Sequence, residues 1–245
     1  MAEDEFLEQF KQSRPRGIFL DFDGTLSEIV SRPEQARPLP QVRPLLAELA
    51  ERYELVAVIS GRPREQVEAL LDVDGVEVFG HYGIERGSSA EFHGGARGEV
   101  QRAIESVEGA WVEDKGASLA VHYRAAPEPA GAEARLRPSL QAIADRHSLI
   151  LLLGKKVVEL APADTPGKGT VILREARARG LAGCLFAGDD QADLAGFHAL
   201  DQLRADGLAV VKVAVRSEET PADLVEAADV VVERPDGLLE LLGRL

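Results

Sequence analysis

Short apolar runs alternate with amphipathic stretches along most of this chain, and that alternation limits the folds open to it more than any other feature. Gly17-Ile18-Phe19-Leu20 reads as a short buried strand ending at Asp21. Gln41 to Arg52 carries Val42, Leu45, Leu46 and Leu49 at helical spacing. Leu55 to Ile59 is apolar and partly β-branched, a second buried strand that stops at Ser60-Gly61-Arg62. A helix opened by Pro63 and a third strand, Val76 to Phe79, follow. The rhythm returns near the end. A helix from Thr170 to Arg179 leads to a strand from Gly183 to Ala187, and a helix from Asp190 leads to a strand from Leu208 to Val215. Val230 to Val232 and a final short helix close the series. Strands that are apolar throughout, separated by helices, predict a parallel sheet covered on both faces.

The middle of the chain departs from this pattern. Trp111–Asp114 and Ser118–Tyr123 read as paired strands around Lys115-Gly116, and Leu149–Leu153 and Lys156–Leu160 as a second pair around Gly154-Lys155. Glu133–His147 is helical, with Ala125–Ala134 read as a loop leading into it. Hairpins and helices of this kind form an antiparallel α+β module. Its limits are expected at the Gly- and Ser-rich stretch Gly87–Gly95 and the loop Pro162–Gly167. Residues 1–90 and 163–245 then form the core, and residues 91–162 an insert of roughly 70 residues, within the usual domain range.

Charge narrows the partners. The 245 residues hold 28 Lys plus Arg against 42 Asp plus Glu, a net charge of −14. Such a surface repels nucleic-acid backbones and anionic lipid, but admits a small phosphorylated ligand whose charge is neutralised locally. With one cysteine, Cys184, no intrachain disulfide can form, which suits a reducing compartment. Met1 to Phe10 is acidic and unlike a signal peptide, and no apolar run approaches the ~18 residues of a membrane span. A cytoplasmic location is expected.

The candidate chemistry lies where strands end. Asp21-Phe22-Asp23-Gly24-Thr25 follows an apolar strand directly, and ligands of open α/β sheets bind at the carboxyl ends of strands. Two such carboxylates can divide labour, one as nucleophile and one as general acid and base. Alone, the motif reads equally as a strand end with an Asx turn. Ser60 can bond a phosphate oxygen or cap the following helix. Lys168, in Pro166-Gly167-Lys168-Gly169, can supply positive charge to a phosphate or be a surface lysine. Asp189 and Asp190 follow a strand; with Asp21 and Asp23 they make an oxygen cage suited to Mg²⁺, or they cap a helix.

In this order, Asp-x-Asp-Gly-Thr, Ser, Lys-Gly and Gly-Asp-Asp resemble the haloacid dehalogenase superfamily of phosphatases. The resemblance implies a Rossmann-like α/β parallel-sheet core of haloacid dehalogenase type with an inserted α+β cap domain. It makes Asp21 the nucleophile, Asp23 the acid/base, and Ser60 and Lys168 the phosphate ligands. Asp21, the Asp23 backbone carbonyl and Asp189 would hold Mg²⁺, with Asp190 and Asp193 in support. Ser60-Gly61-Arg62, Gly80–Glu85, Val112–Gly116, His122-Tyr123-Arg124 and Gly154–Leu160 resemble trehalose-6-phosphate phosphatases more particularly. That resemblance implies sugar contacts from Glu113, Lys115 and Glu159, with Arg62 and His122 as further substrate-binding candidates. The alternatives are a solvated hairpin for Glu113 and Lys115, an exposed strand position for Glu159, and surface or packing roles for Arg62 and His122. Trp111 is expected to be structural.

Two departures stand out. His81-Tyr82-Gly83 replaces the family's common Asn-His-Gly, and Ala192 and Leu194 stand where a Thr and an acid are common. The expected protein is a monomeric, Mg²⁺-dependent phosphatase acting on trehalose 6-phosphate, with no nucleic-acid or membrane partner. Its rivals are a related phosphatase of sucrose phosphate or glycosyl-phosphoglycerate, a phosphorylation-sensing receiver module, and a silent regulatory partner of a trehalose synthase.

Overall fold

The computed structural model describes residues 3–84 and 95–245. Part of the Gly/Ser-rich stretch and Glu85 lie outside them. The chain divides into two compact units, Met1–Gly83 with Pro166–Leu245, and Ile84–Thr165. The strands, in chain order, are β1 (Arg16–Leu20), β2 (Leu55–Ile59), β3 (Val76–Phe79), β4 (Trp111–Asp114), β5 (Leu119–His122), β6 (Leu149–Gly154), β7 (Val157–Pro162), β8 (Gly183–Gly188), β9 (Ala209–Arg216) and β10 (Val230–Glu233). The helices are α1 (Glu3–Gln12), α2 (Val42–Arg52), α3 (Arg64–Leu71), α4 (Ala96–Ile104), α5 (Pro129–Arg146), α6 (Gly167–Ala178), α7 (Leu194–Ala205), α8 (Ala222–Ala227) and α9 (Arg234–Leu242).

In the first unit the strands form one parallel sheet in the order β10-β9-β8-β1-β2-β3. Alternation along each strand feeds two cores. Ile18 and Leu20 of β1, with Leu185 and Ala187 of β8, pack under residues of α1, α2, α3 and α9. Phe19, Cys184 and Phe186 point the other way, into a core with α6, α7 and α8. This is why the strands read as unbroken apolar runs, since both faces are covered. Burial also pushes the Cys184 thiol up to about 12, so it behaves as a packing residue. The chain runs from β1 to β2 and β3 on one side, and later returns to place β8 on the other. The carboxyl ends of β1 and β8 therefore flank the point where strand order reverses, which is where such sheets hold ligands.

The second unit is a four-stranded antiparallel sheet, β4-β5-β7-β6. Val121, Val158 and Leu160 face a core shared with Val100 and Ile104 of α4 and Leu136 and Leu140 of α5. Glu113, Ala120 and Glu159 form one row across β4, β5 and β7, and two residues further along β5 His122 shares their face. The sheet is thus apolar toward its helices and carries these polar side chains among apolar neighbours such as Trp111 and Leu152 on the other side.

Three local departures from the sequence reading have physical causes. Helix α5 begins at Pro129, inside the segment expected to be a loop, because proline is tolerated in a helix's first turn and alanine favours helix. Residues Gln191–Asp193 form a 3₁₀ turn before α7, closed by a capping box between Asp190 and Asp193. Helices α1 and α8 also lie outside the expected elements. Among the described residues, no helix is long and apolar enough to cross a membrane.

Phe186 is fully buried and meets Phe197 edge to face, with ring centroids 6.0 Å apart. Phe186→Ala should cost about 3–5 kcal/mol of unfolding free energy, read from urea unfolding, because the sheet cannot collapse into the space.

Candidate active site

At the end of β1, Asp21 continues the sheet's pairing: its backbone N–H donates to the Ala187 carbonyl at 2.9 Å. Its side chain is buried. Lys168, in the first turn of α6, reaches it at 2.7 Å and reaches Asp193 at 2.5 Å. Lys168 is only 4% exposed and Asp193 fully buried, so none of the three charges is shielded by bulk water. Asp193 also accepts the backbone N–H groups of Asp189 and Asp190, each at 2.9 Å. The 3₁₀ turn after β8 is thereby tied to the lysine.

Burial pushes the Asp21 carboxyl up to about 7; Lys168 opposes this, and the negative charges of Asp193 and Asp23 add to it. Burial acts to lower the Lys168 pKa, yet Asp193 and Asp21 outweigh it and raise it. Carboxylate oxygens of Asp21, Asp189 and Asp193 all lie within 4.8 Å of one another. Asp21 and Asp193 share one ammonium, Asp189 lies beside them, and the donors are all hard oxygens. Gly24, with φ 85°, brings its backbone against the Asp189 carboxylate, where any Cβ would collide. These residues fit a small divalent cation such as Mg²⁺.

Beside this cluster, Asp23 turns its carboxylate to Arg62, which grips it with Nε at 2.6 Å and Nη2 at 2.7 Å. Ser60 ends β2 and accepts the Arg62 backbone N–H at 3.2 Å. It does not cap α3, whose N-cap is Pro63 without a side-chain bond. Arg62, expected at the substrate, is thus engaged with the expected acid/base. Tyr82, the residue of the family departure, packs its ring on Gly61.

Within the inserted unit, Glu159 is buried, not an exposed strand residue, and accepts Lys115 at 2.8 Å and the Ser118 hydroxyl. Glu113 meets His122 at 2.8 Å, and His122 stacks on Trp111 with centroids 4.2 Å apart. These side chains are organised, unlike a solvated hairpin. The structure thus brings Asp21 to Lys168 and Asp23 to Arg62 in the first unit, and Lys115 to Glu159 and Glu113 to His122 in the second. Sequence reasoning gave Asp193 only a supporting place and passed over Ser118. The Asp190-x-x-Asp193 spacing of a capping box was a usable signal for the first; Ser118 left none, because only its side-chain bond across to β7 brings it to Glu159.

A doubly covered parallel sheet, with acidic residues at the ends of adjacent strands and an α+β insert, defines the haloacid dehalogenase class of fold. Residues 19–228 match the family described as trehalose-phosphatase, and the chain belongs to that family. A trehalose-phosphate phosphatase of Mycobacterium marinum is 31% identical over 247 residues, covering 93% of this chain and 60% of that protein. An uncharacterized glycosyl hydrolase of Mycobacterium tuberculosis is 31% identical over 259 residues, covering 98% of this chain and 19% of its own length. The chain thus spans about a fifth to three fifths of these relatives. Among solved structures, the C-terminal domain of a Candida albicans trehalose-6-phosphate phosphatase has a TM-score of 0.85 at 21% identity, covering 100% of this chain and 96% of that one. That likeness fixes the fold.

Lys168→Met should lower stability by about 3–5 kcal/mol in chelator, measured by urea unfolding, because it strands the buried carboxylates without their cation.

Proposed function

We propose that the chain is a phosphoric monoester hydrolase converting trehalose 6-phosphate to trehalose and inorganic phosphate, with Mg²⁺ as cofactor. One observation carries the reading: a buried Asp21–Lys168–Asp193 bridge, with Asp189 beside it, at the strand ends of a trehalose-phosphatase family member. Asp21, the Asp23 backbone carbonyl and Asp189 would hold the ion, with Asp190 and Asp193 in support. Bound there, Mg²⁺ neutralises phosphate charge as a Lewis acid.

Asp21 attacks phosphorus, forming an aspartyl phosphate as the bond to the sugar O6 breaks. Lys168 offsets charge on the transferring group, and the Ser60 hydroxyl donates to one of its oxygens. Asp23 gives its proton to O6, then takes one from the water that hydrolyses the aspartyl phosphate. In the inserted unit, Glu113, Lys115, His122 and Glu159 suit sugar hydroxyls, since carboxylates accept and an ammonium donates. Location in the cytoplasm and a monomeric state belong to the same reading.

The experiment is phosphate release from trehalose 6-phosphate beside sucrose phosphate and a glucosyl-phosphoglycerate, with Mg²⁺ and with chelator. Release only with Mg²⁺ and fastest from trehalose 6-phosphate is expected; preference for another ester reassigns the substrate. Asp21→Asn should abolish turnover, and comparable release by the mutant would end the covalent route. Glu159→Ala should lower kcat/KM for trehalose 6-phosphate at least ~10-fold, about 1.4 kcal/mol, while hydrolysis of 4-nitrophenyl phosphate falls far less. Equal losses on both esters would remove Glu159 from sugar recognition.

A further inference from the structure

The loops after β2 and β3 interlock in a way that the proposed chemistry does not yet use. A Cβ at Gly61 would lie 2.5–3.0 Å from the Tyr82 ring and hydroxyl, so the glycine is what admits the ring. Tyr82 N–H donates to the Ser60 carbonyl and His81 N–H to the Arg62 carbonyl, each at 2.9 Å. His81 and Tyr82 hold φ of 49° and 55°, a left-handed conformation that is strained for residues bearing a side chain. Such strain persists only where surrounding contacts impose it. What those contacts fix is Arg62. Its side chain is 7% exposed, its guanidinium carbon lies 5.5 Å from the centre of the buried Phe22 ring, and its fork spans both oxygens of Asp23. Asp23 itself is 37% exposed at its side chain. A locked, buried fork thus holds a carboxylate that opens toward solvent.

We infer that Arg62 is a positioning residue for Asp23, with Tyr82 on Gly61 as the wedge that holds it there. This rests on the phosphatase reading of the site. Arg62 acts through Asp23 by setting the direction of its carboxyl oxygens, and is not a ligand of phosphate or sugar. A bidentate guanidinium does this because two parallel bonds fix rotation as well as distance, which an ammonium cannot match.

The test is a double-mutant cycle on kcat/KM for trehalose 6-phosphate with wild type, Arg62→Lys, Asp23→Asn and the double variant. Arg62→Lys should lose at least ~10-fold in the wild-type background and less than ~2-fold in the Asp23→Asn background. A series of substituted phenyl phosphates supplies the second readout. Both single variants should steepen the dependence of kcat/KM on leaving-group pKa, because both disturb proton delivery. Additive losses in the cycle, or a uniform drop across the phenyl series, would overturn the inference and make Arg62 a substrate ligand. If Arg62→Lys fails to fold, Tyr82→Ala removes the wedge alone and should steepen the same slope; an unchanged slope overturns the inference. If phenyl phosphates are hydrolysed and trehalose 6-phosphate is not, the sugar assignment fails and the slope still decides the role of Arg62. A wild-type protein inert toward every ester withdraws the phosphatase reading and this inference together.

Discussion

The rest of the core depends on one buried ammonium. Lys168 is held between Asp21 and Asp193, and each of its partners belongs to a different part of the chain. Asp21 ends the central strand, Lys168 opens α6, and Asp193 closes the 3₁₀ turn after β8. A charge buried this deeply is costly unless it is paired and hydrogen-bonded, so once Lys168 is buried the other two segments must bring it their carboxylates. Asp193 pays into the same arrangement through the amides of Asp189 and Asp190. The negative charge left over among three carboxylates is what makes the place suited to a divalent cation and, through it, to a phosphate.

The neighbouring loops show how a second carboxylate, close in sequence to the first, acquires a different environment. Asp21 is buried against an ammonium; Asp23 is partly exposed and gripped by a guanidinium. The difference follows from strand geometry, because the chain turns away at Gly24 and presents the second carboxylate to the loop after β2. The two strained residues after β3 hold that loop in place.

In the inserted unit the sheet has two unlike faces. Leu119, Val121, Val158 and Leu160 form its core face, while Glu113, His122 and Glu159 stand on the other. The polar side chains there engage one another: Lys115 and Ser118 satisfy Glu159, and the Trp111 ring stacks on the His122 imidazole that meets Glu113. Side chains already held by such partners would lose little freedom on meeting a ligand, which is what the proposed sugar contacts call for.

Much of this was legible in the sequence. The apolar runs of β1, β2 and β8 and the residues that end them announced a parallel sheet and placed Asp21, Ser60 and Asp189, since local periodicity and strand ends are properties of short segments. The pairing of Lys115 and Ser118 with Glu159 was not legible, because it joins positions more than forty residues apart, and that of Glu113 with His122 was not, because it depends on the exact register of a hairpin. The start of α5 was misread because Pro129 looks like a loop signal until it is seen in a first turn. Arg62 entered as a substrate-binding candidate through the family resemblance alone; its bond to Asp23 joins loops 39 residues apart and leaves no mark in the sequence. The sequence by itself determined which residue types stand at the strand ends, and hence the kind of chemistry available. Only the tertiary structure decided which charge meets which, because ion pairs such as Lys168–Asp21 and Arg62–Asp23 form through space, between segments that the sheet and its loops bring together.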